Sequence, residues 1–561
     1  MNRIALALVL LFAAACTPSK HATSGIPPSD LLLIDGGIVW SGPNQKPSPN
    51  TAIVVRKGRI EFVGPIAEAR RRAPDARTLD ANGMTVLPGL IDSHAHVDNL
   101  GKMLAIVDLR GTTSAEDAAA RVAERARSLP AGSWIEGRGW DQNSWPGQQY
   151  PNAESLDRVT GDHPVWLTRV DGHAAWANSA AMRAAGVGRS TLDPSGGRII
   201  RDDAGNPTGV FIDNAKELVA ATIPPPSRDI RKARLRMALE NIAATGLTAV
   251  HEAGSDASEE VIALYRELIG ERTMPVRVYY MLPDDNPKLD AWLASGPLVD
   301  FGDRLTVRAV KIYADGALGS RGAALLAPYH DEPSTKGLLV TEPGRIESVA
   351  KRSADAGFQV GAHAIGDRGV QIVLDAYERA GVKPEDRFRI EHFQVATLSD
   401  IERLAKEGVI AAMQPTHATS DMPWAEDRIG AERLAGAYAW RKVLDAGGRL
   451  ALGSDFPVED VNPFFGIYSA VTRQDHDGHP PGGWLPSERI TRAEAVRGFS
   501  TDAAYAAFEE ETRGTIEAGK WADFTIVDGD FASAPSSEIW KTKVRYTIVS
   551  GEVVFKAPST P

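Results

Sequence analysis

Through the middle of the chain, short apolar runs alternate with stretches in which apolar residues recur at helical spacing. This is the pattern of parallel strands covered by helices. Eight runs read as strands, at 85–91, 248–251, 276–282, 307–313, 359–363, 388–392, 409–414 and 449–453. Helix-like stretches such as 347–356 and 399–407 separate most of them. Eight is the number that closes a (β/α)8 barrel of the TIM type, so the fold class is α/β. One gap breaks the even spacing. About 100–246 separates the first strand from the second, which is too long for a single crossover and predicts an insertion after the first barrel strand.

The two chain ends share a different texture. Segments 30–40 and 51–63, and again 522–527 and 544–555, are rich in β-branched residues and punctuated by glycine. They predict a composite β-sandwich built from 30–84 and 504–557, flanking a barrel domain at 85–503. A chain of 561 residues suits one large domain with such a satellite.

Composition narrows the partners. With 43% hydrophobic and 24% charged residues the chain has ordinary globular content. A formal net charge of −11 and the lack of any basic run set nucleic acid aside. A small molecule is the expected partner, and a homodimer is compatible with this composition. At the start, Arg3 precedes an apolar run at 4–15 that is too short to span a bilayer and reads as a signal peptide. It stops at Ala13-Ala14-Ala15-Cys16, which resembles a bacterial lipobox, and Cys16 is the only cysteine in the chain. Residues 1–16 are therefore expected to be a lipoprotein leader with Cys16 lipidated, and 17–29, rich in Pro and Ser, a tether. By resemblance to Gram-negative lipoprotein sorting, Thr17 rather than Asp after the cysteine implies the outer membrane, on the periplasmic side, with the lipid as the sole membrane contact. A plain secretory signal that happens to end at a cysteine is the alternative.

Polar residues cluster at the C-terminal ends of the strand candidates, where barrel active sites are built. The first run leads into Asp92-Ser93-His94-Ala95-His96, and residues two apart in a strand share a face, so both imidazoles can reach one ion. The fourth holds Lys311 between Val310 and Ile312, where a charged amine is costly; a salt bridge or a carbamate formed with CO2 would resolve this. The fifth ends in His363, the sixth in Glu391-His392, and the eighth in Gly453-Ser454-Asp455. Each motif is weak alone. Together they put four histidines, a lysine and an aspartate on five strands.

These motifs make the chain resemble the amidohydrolase superfamily, and within it the YtcJ-like amidohydrolase-3 group, over nearly the whole mature length. The resemblance rests on Pro88 through His96, Val310-Lys311 with Asp315 through Arg321, His363 through Asp367, Glu391-His392, Gln414-Pro415, Gly453 through Val458, and Gly514 through Asp523. It implies two divalent metal ions, with zinc favoured by imidazole and oxygen ligands. His94, His96 and Asp455 would hold one ion and His363 and His392 the other, with Lys311 as a bridging carbamate. It further implies attack of a metal-bound hydroxide on a carbonyl, with Asp455 as general base and then acid. Family members include N-substituted formamide deformylases, so the expected reaction is cleavage of a C–N amide-type bond in an N-acyl or N-formyl amine. Lactone or ester opening and deamination use the same metals. Superfamily deaminases carry a glutamate at the position of Gly366, which counts against deamination. A lipid-anchored binding protein without turnover is the remaining class, and a base at Asp455 argues against it.

The insertion supplies candidates on the substrate side. Five of the twelve tryptophans lie between Trp134 and Trp176; they either line an aromatic pocket, with Trp140 foremost, or form the insertion's own core. Asp171 and His173 could face a substrate or brace the insertion. Arg321 could bind a substrate carboxylate or form a structural ion pair. His417 could face the substrate or sit in a loop, and His251 could orient a ligand or be a satisfied core histidine.

Overall fold

Eight parallel strands form the barrel sheet: β1 (Leu90–Ala95), β2 (Leu247–Glu252), β3 (Arg277–Pro283), β4 (Leu305–Tyr313), β5 (Gln359–Ala364), β6 (Arg389–His392), β7 (Ile410–Met413) and β8 (Arg449–Leu452). Each pairs in parallel with the next from β1 to β8. The computed structural model describes residues 31–558 apart from 171 and 256. Cys16, the 1–16 leader, the 17–29 tether and Asp171 lie outside the described residues.

The strands are nearly continuous apolar runs because both faces are covered. All six residues of β2 and all six of β5 are buried. Covering helices present one apolar stripe to the sheet. In Leu398–Glu407, Thr397 caps the first turn by accepting the Asp400 N–H at 3.1 Å, and Ile401 and Leu404 are buried on the inner face.

Between β8 and β1 the barrel closes by other means than a regular ladder. The Asp92 carboxylate accepts the Ser454 N–H at 3.1 Å and the Ser454 hydroxyl at 2.6 Å. Asp455 N–H then donates to His94 O at 2.8 Å, and His96 N–H to Phe456 O at 2.9 Å. Only glycine fits at 453, since a Cβ there would stand 2.6 Å from both Asp92 Oδ1 and the His94 nitrogen. The seam therefore runs directly beneath the candidate chemistry.

The first strand candidate, 85–91, spans two strands. Met84–Pro88 belongs to the terminal sheet, paired antiparallel with Phe524–Asp528, while β1 begins at Leu90. The chain crosses from one sheet to the other at Gly89, where a Cβ would lie 2.4 Å from Thr248 Oγ1. Hydrophobic periodicity does not mark the crossing because Thr85–Pro88 and all of β1 are buried alike.

Both chain ends build one eight-stranded sheet, the sandwich that flanks the barrel. Its order is Glu552–Lys556, Val544–Val549, Phe524–Asp528, Met84–Pro88, Leu31–Val39, Ser48–Arg56 and Arg59–Pro65, with Arg77–Asp80 also beside Leu31–Val39. Ile34, Ile53, Val86, Ile526 and Ile548 share one apolar cluster, while Leu33, Ala52 and Val54 pack with Ala69 of the helix Ile66–Arg72 in another. A buried Arg277–Asp523 pair at 2.8 Å ties this sheet to β3.

The insertion is a separate α/β unit around a six-stranded sheet, ordered Gly197–Arg201, Pro207–Asp213, Ala174–Ala177, Val165–Arg169, Ile135–Trp140 and Val107–Asp108. Trp140, Trp145 and Trp176 meet there at ring separations of 6.2–6.5 Å. Trp140 is fully buried and its indole N–H donates to Leu167 O at 2.8 Å. These three indoles form the insertion's own core, the second of the two roles the sequence left open for Trp140. Burying a large aromatic with its one polar atom satisfied is what a small satellite core requires. Among the described residues no helix is long and apolar enough to cross a membrane.

Candidate metal centre

Alternation along β1 points His94 inward, and His96 follows two residues later on the same side. Lys311 lies on β4, His363 on β5, His392 ends β6, and Asp455 follows β8. The barrel brings all six together. His96 Nε2 lies 3.1 Å from Asp455 Oδ1 and His94 Nε2 lies 3.5 Å from the same oxygen. Lys311 Nζ is 3.5 Å from His94 Nε2. The His392 ring stands 4.8 Å from that of His94 and 4.5 Å from that of His363. His94, His392 and Asp455 each offer a ligand atom within 4.8 Å of the others.

A second layer fixes how these groups face. Glu391 Oε2 lies 2.5 Å from His94 Nδ1; a carboxylate only accepts, so the hydrogen sits on Nδ1 and Nε2 keeps its lone pair. Gln414 Oε1 accepts from His392 Nδ1 at 2.8 Å and sets the same tautomer. Glu391 is itself paired with Arg389, whose guanidinium also reaches His251 Nδ1 at 2.9 Å and Ser93 O. All four side chains are buried. His251 thus stands three contacts away from the cluster, through Arg389 and Glu391 to His94. Arg389 escaped the sequence reading because a buried arginine on a strand has no spacing signature.

Backbone strain marks the same places. His392 and Asp455 have φ of 73° and 62°, in the left-handed region that favours glycine. Non-glycine residues persist there when the surrounding structure holds them, and such residues gather at functional sites.

Electrostatics favours neutral rings at His94, His363 and His392 and charged carboxylates at Asp455 and Glu391. Burial, then the Lys311 charge, pushes His94 down to about 4, and the same two causes push His363 down to about 3. Burial carries His392 well below its ordinary value. Burial would raise Asp455, but the His96 hydrogen bond and the neighbouring His94 and His417 hold it far below the carboxylate range. Glu391, raised by burial, is pulled down by Arg389 and His94. Burial lowers Lys311 to about 8. Asp92, which seals the seam, goes the other way: burial lifts it to about 7 against its hydrogen bonds.

The remaining candidates separate. His417 belongs to the cluster, stacked on His392 with ring centroids 5.8 Å apart and its Nε2 3.6 Å from Asp455 Oδ2. His173 is exposed and bonds Asp213 at 2.8 Å, within the insertion. Arg321 pairs with Asp331 at 2.8 Å, and its Nε with the other oxygen at 3.1 Å. Its fork is engaged by Asp331, the structural ion pair that was one of its two expected roles.

The rings of His94 and His392, each with its tautomer set, beside the Asp455 carboxylate, suit a divalent cation. His363 Nε2, 3.7 Å from Asp315, and His417 Nε2, 3.6 Å from Asp455, are buried without a hydrogen-bond partner, which leaves both nitrogens able to meet a cation or a substrate. The sequence matches the amidohydrolase family over residues 77–555. The chain belongs to the amidohydrolase family. Among curated relatives, YtcJ of Bacillus subtilis (strain 168), which carries an amidohydrolase name, is 34% identical over 516 residues, 90% of this chain and 96% of its own. The N-substituted formamide deformylase of Arthrobacter pascens is 30% identical over 541 residues, covering 93% of this chain and 97% of its own. An uncharacterized metal-dependent hydrolase from Pyrococcus furiosus has the same fold with a TM-score of 0.74 at 29% identity, covering 89% of this chain and 99% of that one. This amidohydrolase is accordingly a metal-dependent hydrolase of the superfamily.

Proposed function

We propose that this amidohydrolase cleaves the C–N bond of an N-acyl or N-formyl amine. The observation that carries the reading is the placement of Asp455, whose one carboxylate faces His94, His96 and His417 at 3.1–3.6 Å. His94, His96 and Asp455 would hold one divalent ion and His363 and His392 a second, with zinc suited to the nitrogen-rich set. Such ions, once bound, acidify a water and polarise a carbonyl.

The chain's own residues supply the rest. Asp455 accepts the proton of the attacking water and returns it to the amine nitrogen as the C–N bond breaks, so that one carboxylate serves both halves of the reaction. Glu391, braced by Arg389, holds the His94 ring in one tautomer while charge moves nearby. Lys311, buried among Val310 and Ile312, adds CO2 at its nitrogen with loss of a proton, giving a carbamate with two ligand oxygens. His417, stacked on His392, presents its ring toward Asp455 and is placed to meet the substrate's carbonyl side.

The test is a panel of N-formyl amines, N-acyl amines and lactones offered to zinc-loaded protein. Free amine is expected from at least one amide class. Turnover confined to lactones would overturn the reading. The named activity of the Arthrobacter relative, which is similar over almost its full length, supports starting with formamides.

A further inference from the structure

A cavity of about 760 Å3 lies between the barrel mouth and the insertion. His96 and Tyr313 join it to the metal centre, for the Tyr313 ring stands 5.2 Å from His363 and 4.8 Å from Lys311 Nζ. Trp166 and Ile223 give it apolar wall. Its charged lining is lopsided. Lys102, Arg138, Arg231 and Arg234 face it, against Asp98 and Glu136.

The two carboxylates are already engaged. Asp98 lies 3.4 Å from Arg231, which also reaches Glu260 at 3.3 Å, and Glu136 lies 3.5 Å from Arg234. Lys102 and Arg138 have no carboxylate partner among the described residues; the one hydrogen bond of Arg138 goes to Val170 O at 3.5 Å. A chain of net charge −11 thus keeps two exposed cations, neither paired with a carboxylate among the described residues, on the cavity that opens on its metal centre. They come from opposite walls. Lys102 belongs to the helix Val97–Ala105 that leaves β1, and Arg138 to the insertion strand Ile135–Trp140.

We propose that Lys102 and Arg138 receive an anionic group of the substrate, a carboxylate carried at a distance from the bond that breaks. The inference deepens the hydrolytic reading above and rests on it for the identity of that bond. Arginine offers a planar fork that matches two carboxylate oxygens, and lysine adds a point charge from the other side. Because one cation sits on the barrel and the other on the insertion, the anion would also draw the insertion onto the mouth. The apolar wall beside them would take a hydrocarbon or aromatic body, so the fitting class is an N-acyl or N-formyl amino acid rather than a neutral amide.

The experiment compares N-acetylphenylalanine, as each enantiomer, with N-acetylphenethylamine, which differs only in lacking the carboxylate. Binding is read by calorimetry on the full-length Asp455→Asn protein, where hydrolysis does not consume the ligand. One enantiomer is expected to bind about tenfold more tightly than the neutral amide, the scale of one charge-assisted pair. The ratio should fall with added salt. It should drop to about one with Lys102→Met and Arg138→Met together, and below one with Lys102→Glu and Arg138→Glu. A ratio at or below one before these changes, or one that both double variants leave unaltered, overturns the proposal. Turnover of the same pair by protein with Asp455 intact is scored separately. Preferred binding of the carboxylate without amide cleavage would sink the amide reading and leave the anion site standing.

Discussion

Asp455→Asn is expected to keep its metal and lose roughly two to four orders of magnitude in turnover. The amide has the size and one oxygen of the carboxylate, so His94 and His96 keep a neighbour and the seam at Asp455 N–H to His94 O stays intact. What it lacks is the ability to take a proton. The native carboxylate lies 3.1 Å from His96 and is held far below the usual carboxylate range by its histidine neighbours, so it is poised to accept one. Metal content by elemental analysis and kcat on the best amide from the panel measure the two halves. Unchanged metal with near-native kcat would remove Asp455 from proton transfer. Loss of metal along with rate would make it a ligand first.

The second large effect is on stability. Arg389→Met should cost about 3–5 kcal/mol, the usual penalty for stranding one partner of a buried ion pair. Arg389 and Glu391 are both fully inaccessible, and the arginine also satisfies His251 and the Ser93 carbonyl. Without it, Glu391 retains only His94 as a hydrogen-bond partner, and that ring is then asked to carry charge it does not carry natively. Denaturant midpoints of metal-free protein read the cost directly. The double variant Arg389→Met with Glu391→Gln should recover part of it, because no buried charge is left uncompensated. If Arg389→Met is tolerated with less than about 1 kcal/mol, the chain from His251 to His94 is not a structural unit and Glu391 is held by other means.

Much of this was legible in the amino-acid order, for a physical reason. Strands buried on both faces must be apolar throughout, so a histidine, lysine or aspartate at the end of one stands out against Val, Ile and Ala. His94, Lys311, His363, His392 and Asp455 were visible in that way, and the barrel brings them to one place. Contacts made across hundreds of residues leave no local trace. Arg389 bonding His251, and Asp92 sealing the seam to Ser454, depend on the barrel closing. The boundary at Gly89 was hidden because the strand before it and the strand after it are equally buried. The role of Trp140 stayed open in the sequence for a related reason. An indole in an insertion looks the same in sequence whether it faces a pocket or, as here, Trp145 and Trp176. Lys102 and Arg138 could not be singled out among many surface cations until the two walls of one cavity were seen together.

Anomalous diffraction from crystals of the zinc-loaded chain, collected on both sides of the zinc edge, puts the metal centre itself to the test. One peak is expected about 2.0–2.1 Å from ligand nitrogens of His94 and His96 and beside Asp455, with another beside His363 and His392. Protein that takes up no ion, or peaks away from these side chains, would contradict it.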